Sequence, residues 1–269
     1  MKRELIFDFA AVSLLICAGA LLVLVGRLRQ AVMTRMECRM NLGQLGVALR
    51  NYHDIYGCFI AGTLPNESLP PEKRISWHFK IWPYCEGAVM PQFDETESWD
   101  SEKNRQVSPD VILFHCPASG KMRIPGFASS TSYVGIAGVG RDAPLLPRED
   151  PRAGIFGYER SASLSDIKDG TSTTMMLAET AWNNGPWTAG GPATVRGLDP
   201  QGPPYVGKHG QFGGKHGDGA FVLFADGSVR FLIDSISPHV FESLATIAGG
   251  EDIADALDEQ TKEAWWLQR

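Results

Sequence analysis

The stretch that decides the architecture of this chain is FAAVSLLICAGALLVLVG, residues 9–26, close to its start. This segment carries no charged side chain. As an α-helix it extends about 27 Å, close to the thickness of the hydrocarbon core of a bilayer. We therefore expect a membrane-spanning helix. Its expected anchoring side chains include Phe9, Leu14, Leu21 and Val25.

A cleaved signal peptide is the alternative interpretation of this segment. Lys2 and Arg3 form a short basic start, and Ala18-Gly19-Ala20 resembles a small-residue cleavage site. The apolar run continues beyond that site from Leu21 to Val25, which favours an uncleaved anchor. More positive charges follow the helix than precede it, and a plain count therefore favours an external N-terminus.

Beyond the apolar segment, residues 27–56 continue with the periodicity of a helix. Alternating intervals of four and three residues separate its apolar positions, so that they form one stripe. These positions are Cys38, Leu42, Leu45, Leu49, Tyr52 and Tyr56. Gly57 is a suitable C-terminal stop. We expect one helix over residues 1–56 followed by a globular domain over residues 57–269, with a break near Gly43 or Gly46 as the alternative.

Composition limits the classes of function. The 269 residues are 43% hydrophobic and 21% charged, which is ordinary for a folded protein. The net charge of -6 argues against a protein that binds the phosphate backbone, because such a protein needs a concentrated basic surface. We expect no nucleic-acid partner.

The cysteines restrict possible pairings without fixing one. Cys17 lies inside the apolar segment, and the other four are Cys38, Cys58, Cys85 and Cys116. None forms a CxxC pair, which disfavours a zinc site, and we expect no metal or cofactor. On a continuous helix Cys38 and Cys58 stand about 30 Å apart and cannot bond. Both remaining pairings, and free thiols, stay open.

The sharpest local signal for a β-sheet is AFVLFADGSVRFLI, residues 220–233. Asp226-Gly227 joins two apolar runs, which predicts a hairpin with a two-residue turn. In that register Phe224 lies opposite Val229, and Val222 lies opposite Phe231. The pairing creates one strongly apolar face.

The other segments complete an α+β reading. The glycines of residues 133–141 fit close strand packing, and the segment lacks the GxGxxG of a dinucleotide loop. We further expect strands at 111–114 and 173–178, a loop at 182–205, a helix from Pro238 to Gly249-Gly250, and a final helix at 252–268 with Trp265 and Trp266. The predicted fold is a long N-terminal helix packed on an antiparallel sheet.

Several of these segments resemble a known family, the prepilin-like proteins that carry domain of unknown function 1559. Its most specific motif is a histidine, nine residues, then Asp-Gly, here His216 followed by Asp226-Gly227. The other matching segments are CRMNLGQLG at 38–46, NYHDIYG at 51–57, Ser76-Trp77, Pro83-Tyr84, Cys116-Pro117 and, from Asp169 and Gly170, DGTS at 169–172. The resemblance covers nearly the whole chain.

The resemblance implies a structural protein and no enzyme. A single-pass helix in the bacterial inner membrane would hold the domain on the periplasmic or external side, the reverse of the orientation that the charge count favours; we follow the family. The partners implied are membrane lipid and other pilin-like subunits of a type II secretion or pilus-like system, with the role of a pseudopilin. Glu4 can occupy the position of the pilin glutamate, but no small residue precedes a phenylalanine as in a prepilin signal.

Two other classes of function have their own residues. A module that binds glycans or peptides would use the loop side chains of Trp182, Trp187, Tyr205, His209 and His216. A hydrolase would need His216 together with Asp218, Asp226 or Asp169. Since turn formation already explains Asp226, we expect the signature residues His216, Asp226, Gly227, Asp169 and Gly170 to be structural.

Overall fold

The computed structural model describes residues 2–85, 91–119, 124–127, 129–217, 219–253 and 255–257, with side chains from Leu15 onward. One long helix packs with its C-terminal half on a five-stranded sheet, which confirms the α+β class. The predicted final helix with Trp265 and Trp266 falls mainly on residues outside those described.

The long helix α1 runs unbroken over Lys2–Tyr56, so the alternative of two helices is wrong. Gly57 follows with a φ of +74°, the left-handed conformation that commonly ends a helix. Of the predicted stripe, the first four members are fully buried, Tyr52 is half-buried and Tyr56 is exposed. We call residues Leu15–Met33 the free half of α1 and residues Cys38–Tyr56 the docked half.

The sheet lies behind the docked half. Its strands are β1 (Tyr133–Val139), β2 (Met175–Glu179), β3 (Val195–Leu198), β4 (Gly219–Phe224) and β5 (Val229–Ile233). Their spatial order is β3-β1-β2-β4-β5. All neighbours are antiparallel except β1 and β3, which run parallel, so the sheet is mixed at one edge.

Within the residues given above, the sheet is accompanied by α2 (Trp77–Ile81), α3 (Glu102–Val107) and α4 (Pro238–Ser243), and residues 255–257 are also helical. The helix predicted to reach Gly249-Gly250 ends at Ser243, and the backbone N–H groups of both glycines donate to the carboxylate of Asp169 instead of continuing a helix. Residues 77–84 form α2 and the 3-10 turn that follows it.

Two other predictions of secondary structure are wrong. Residues 111–114 form a 3-10 turn at Ile112–Phe114 instead of a buried strand: Phe114 is fully buried, Leu113 is half-buried and Ile112 is 85% exposed. The predicted loop at 182–205 contains β3, a four-residue edge strand. Arg196 and Gly197 interrupt the run of apolar residues in β3, and the sequence therefore did not indicate a strand.

The hairpin of β4 and β5 exists, but its register differs by one residue from the prediction. Phe221 pairs with Phe231, and Leu223 pairs with Val229. The N–H of Phe224 donates to the carbonyl of Ser228, which leaves a three-residue loop with Gly227 at a φ of +87°. A shift of one residue in the pairing of β4 with β5 changes which side chains of the two strands share a face of the sheet.

Both faces of the sheet are therefore buried. The side chains of Phe221, Leu223 and Phe231 face the docked half of α1. Val222 and Phe224 belong to a second core with α4 on the opposite face. Gly46 permits the close approach of the helix, since a Cβ there would lie 2.8 Å from Leu223 Cδ1.

Candidate functional site

Four side chains with metal-binding or redox chemistry meet where the docked half of α1 begins. Cys38, Cys116, Glu179 and His216 each present one donor atom, and these atoms all lie within 4.8 Å of one another. All four residues are buried: the side chain of Glu179 is 0% exposed and that of His216 is 2% exposed. We call this group the buried cluster.

Four different elements supply these residues. Cys38 is the first buried position of the stripe on α1, and Glu179 is the last residue of β2. Cys116 follows the 3-10 turn at Ile112–Phe114, and His216 lies in the loop that leads into β4. The cluster thus joins the long helix to the centre of the sheet.

Short distances connect the donor atoms in a ring. His216 Nε2 lies 3.3 Å from Cys116 Sγ and 3.3 Å from Glu179 Oε1. Cys38 Sγ lies 3.9 Å from the same carboxylate oxygen. Cys38 and Cys116 form a disulfide with a Cα–Cα distance of 5.3 Å, within the usual range for a disulfide.

The carboxylate of Glu179 is held from several sides. The N–H of Phe221 donates to Oε2 at 3.2 Å, which leaves Oε1 directed at the sulfurs and the imidazole. Gly214 makes room for it, since a Cβ there would lie 2.1 Å from Oε1. Burial, and then the nearby charge of Glu179, raise the pKa of the Tyr133 hydroxyl well above its usual value.

The histidine is fixed by α1 and by a neighbouring ring. The guanidinium of Arg35 donates to the main-chain carbonyl of His216. The imidazole packs edge-on against Phe221 with ring centroids 5.5 Å apart. Lys215 and Gly217 on either side are exposed, so His216 belongs to a surface loop and its imidazole points into the protein interior.

The disulfide belongs to one of the two pairings that the sequence left open. The other cysteines, Cys58 and Cys85, are half-buried free thiols, and Cys17 is an exposed one. Burial raises the pKa of the Cys85 thiol to about 11, which makes it a poor nucleophile at neutral pH.

The other signature residues lie at the opposite end of β4. The N–H of Asp226 donates to the carbonyl of Thr171 at 3.0 Å, which joins the Asp226-Gly227 turn to the Asp169-Gly170 turn. Asp226 Oδ1 accepts from the N–H of Ser228 at 2.8 Å. These hydrogen bonds stabilise the two turns and join them to each other.

A catalytic group of His216 with these aspartates does not form. The six residues of β4 separate His216 from Asp226 by roughly 20 Å. Asp169 is engaged with the N–H groups of Gly249 and Gly250 at 2.7 and 2.9 Å. Asp218 lies outside the described residues.

His78 is a second buried histidine, and its surroundings are those of a core side chain. Its imidazole stacks on Trp77 with centroids 3.8 Å apart, and its nitrogens lie 3.3 Å from the hydroxyls of Ser76 and Thr131. Complete burial lowers its pKa well below the usual value. The imidazole is therefore neutral and structural.

The predicted binding aromatics are divided between core and surface. Trp187 and Tyr205 are buried, and His216 belongs to the buried cluster. Trp182 is 56% exposed and, with His209, lines a groove of about 600 Å³. The guanidinium of Arg196 lies 5.5 Å from the centre of the Trp182 ring in the same groove.

Sequence reasoning found three members of the buried cluster without relating them. Cys38, Cys116 and His216 each lie in a segment that carries the family resemblance. Glu179 was taken only as the end of a strand. The spacing rule for zinc motifs could not detect the group, because its members are scattered between positions 38 and 216.

Comparison with known proteins gives one match. The sequence model of a family described as "Protein of unknown function (DUF1559)" matches residues 30–197 and 182–239. No curated protein and no solved structure matches the chain. Because the two matched segments cover well over half of the sequence, the chain belongs to the DUF1559 family.

Proposed function

We propose that this protein is a membrane-anchored, pilin-like subunit in which the uncharged part of the free half of α1, up to Gly26, lies in the bilayer and contacts other subunits there. One observation carries the proposal: a single helix is apolar and exposed at one end and forms part of a domain core at the other. Leu15–Tyr56 is long and apolar enough to cross a membrane.

The exposure of the free half supports a lipid environment. Leu15 and Leu22 are both 73% exposed, and Leu21 and Leu24 are exposed by more than half. A helix that is apolar on all sides is stable only when every side is covered, and here the described part of the domain covers none of it. Lipid and neighbouring helices supply such a cover.

The expected surroundings follow from this anchor. The domain would stand on the periplasmic or external side of the bacterial inner membrane, with the arginines after residue 26 near that surface. Association through the apolar half would make the protein a component of a type II secretion or pilus-like system. The proposal assigns the domain no chemical reaction.

Photocrosslinking in cells tests this proposal. A photoreactive phenylalanine analogue placed at Leu21 should give adducts with a second copy of the chain or with other pilin-like chains. The control position is Val47, which is 60% exposed on the docked half and should give no such adducts. Adducts with lipid alone from Leu21, with only monomer recovered after solubilisation, would refute the assembly role.

The surface groove supports a second candidate, a module that binds glycans or peptides outside the membrane. An exposed indole in an open groove is a suitable platform for sugar rings or apolar peptide side chains, and Arg196 holds the loop of Trp182 by donating to the main-chain carbonyls of Trp182 and Asn183. Binding on a glycan or peptide array that Trp182→Ala abolishes would support it. The control is Leu145→Ala, since Leu145 is 70% exposed and does not line the groove. Arrays without signal would remove this candidate.

A further inference from the structure

We propose that Cys38, Cys116, Glu179 and His216 bind one Zn²⁺ ion when the two cysteines are reduced, and that the disulfide is the metal-free form of the same site. The proposal is independent of whether the free half of α1 assembles with other subunits. It concerns a junction inside one chain.

Three of the six spacings between donor atoms are close to those of a tetrahedral zinc site, and the two bonded sulfurs must separate to about 3.8 Å on reduction. With metal–ligand bonds of about 2.0 to 2.3 Å, neighbouring ligand atoms lie about 3.3 to 3.8 Å apart. The imidazole nitrogen is 3.3 Å from Cys116 Sγ and 3.3 Å from Glu179 Oε1. Cys38 Sγ lies 3.9 Å from that oxygen. These three distances need almost no adjustment to surround an ion.

The donor set also has the chemistry that zinc prefers. Two thiolates, one imidazole and one carboxylate are all common ligands of Zn²⁺. Glu179 is completely buried, and a buried carboxylate is costly unless it is paired or coordinates a metal. In the described surroundings its oxygens lie near one backbone N–H, an imidazole and sulfur atoms. A divalent cation at the centre would give this buried oxygen a direct positively charged partner.

The surrounding groups prepare the ligands for this role. The N–H of Phe221 occupies Oε2 and so orients Oε1 towards the centre. Arg35 fixes the backbone of His216, and Phe221 packs against its ring. Such outer contacts hold ligands in place in zinc sites.

Four protein ligands without an open position define a structural site. The disulfide connects α1 only to residue 116. Bound at the same place, Zn²⁺ would keep that connection and would add β2, through Glu179, and the loop before β4, through His216. The ion can enter beside His216, because the residues on either side of it are exposed.

The two forms interconvert by thiol–disulfide chemistry. An external dithiol gives two electrons and two protons to the Cys38–Cys116 bond, which becomes two thiols while the dithiol becomes a disulfide. Zn²⁺ then displaces the two thiol protons as it binds both sulfurs. Oxidation by a disulfide reagent reverses the sequence and releases the ion.

The test uses the full chain in detergent micelles. The protein is reduced with a phosphine, which binds zinc less than dithiols do, and is then gel-filtered without oxygen and mixed with Zn²⁺ or Co²⁺. We expect one Zn²⁺ per reduced chain and none per oxidised chain. Co²⁺ should give thiolate-to-cobalt charge-transfer bands and the intense visible bands of tetrahedral coordination.

Variants separate this site from other thiols. Glu179→Gln and His216→Gln should each weaken Zn²⁺ binding at least roughly tenfold. Each is checked for folding in its oxidised, metal-free form by circular dichroism. The matched control is the double replacement Cys58→Ser with Cys85→Ser, which removes the two other domain cysteines and should leave binding unchanged.

Three results would overturn the proposal. The first is a reduced, folded chain that binds neither Zn²⁺ nor Co²⁺. The second is binding that survives both ligand variants undiminished. The third is binding that disappears with Cys58 and Cys85 instead.

Discussion

The two halves of α1 have similar local structure and opposite surroundings. In the docked half, Leu42, Leu45 and Leu49 are 0% exposed against the sheet, while in the free half Leu15 and Leu22 are both 73% exposed. No break in the helix separates them. One half is covered by its own domain, and the other requires cover from outside the chain.

This difference shows that apolar content alone does not decide what a helix contacts. The docked half is amphipathic, with Arg50 and Asn51 exposed beside the stripe, and can face water on one side. The free half has no polar side from Leu21 to Val25. Replacing equivalent residues in the two halves should therefore affect different properties.

The largest effect is expected from Leu45→Ala. A cavity in the well-packed contact between helix and sheet should reduce the free energy of unfolding of the domain by about 3 to 5 kcal/mol. The matched change Leu22→Ala should leave that free energy within about 0.5 kcal/mol. Urea unfolding in detergent, followed by tryptophan fluorescence, measures both. Equal losses would mean that both halves belong to the domain core.

A charge in the free half should affect membrane insertion instead. Ile16→Arg places a cation near the centre of the proposed span, at a cost of roughly 2.5 to 3.5 kcal/mol. Val47→Arg, on the exposed side of the docked half, should be neutral. Extraction of membranes at alkaline pH should release more of the first variant and none of the second. Equal retention of both would count against insertion of the free half.

Acid should weaken the docked half selectively. Burial keeps His78 neutral in the folded domain, whereas the unfolded chain takes up a proton below a pKa of about 6.5. Stability should therefore fall as pH falls below about 6.5, by up to about 1.4 kcal/mol per pH unit from this group. Hydrogen exchange should increase in residues 38–49 before it increases in the free half.

The control for that prediction removes the titrating group. His78→Gln should be less stable at neutral pH but should show a flatter dependence between pH 6.5 and 5. His209→Gln, at an exposed histidine, should leave the slope as it is. A slope that His78→Gln does not alter would assign the effect to other residues.

The smallest effect distinguishes two glycines of the docked half. Gly43 has open space around it, so Gly43→Ala should stabilise the helix by about 0.5 to 1 kcal/mol. Gly46→Ala would place a Cβ 2.8 Å from Leu223 Cδ1, and the Leu223 side chain would have to move. The stabilisation expected from alanine in a helix should therefore be lost or become a destabilisation. Urea unfolding of both variants gives the sign. Equal stabilisation would show that the helix stands further from β4.

The sequence predicted the long helix well because its signal is repeated many times. Four successive members of the stripe are fully buried, and the stop at Gly57 follows directly from its conformational freedom. The family assignment likewise depended on several motifs together. In a long periodic segment, one atypical residue changes the predicted secondary structure little, because many other positions carry the same pattern.

Short signals were less informative. Asp226-Gly227 suits a two-residue or a three-residue loop, and packing of Phe221 and Leu223 under α1 selects the latter. The strand β3 is only four residues long and interrupted by polar Arg196. In the buried cluster Glu179 was missed, because a glutamate at the end of a strand normally faces water. Only the tertiary structure brings it to the cysteines.

The contrast between the two halves of α1 requires that one half lies in lipid and the other on the domain. Nitroxide labels on the protein in liposomes measure this contrast. One label is placed on native Cys17 in the free half, with Cys58 and Cys85 replaced by serine. The other is placed on Val47→Cys in the docked half, with Cys17, Cys58 and Cys85 replaced by serine. Collisions with oxygen and with a water-soluble nickel chelate are measured. We expect collisions with oxygen to dominate at Cys17 and collisions with the nickel chelate to dominate at position 47. Equal access of nickel to both positions would contradict it.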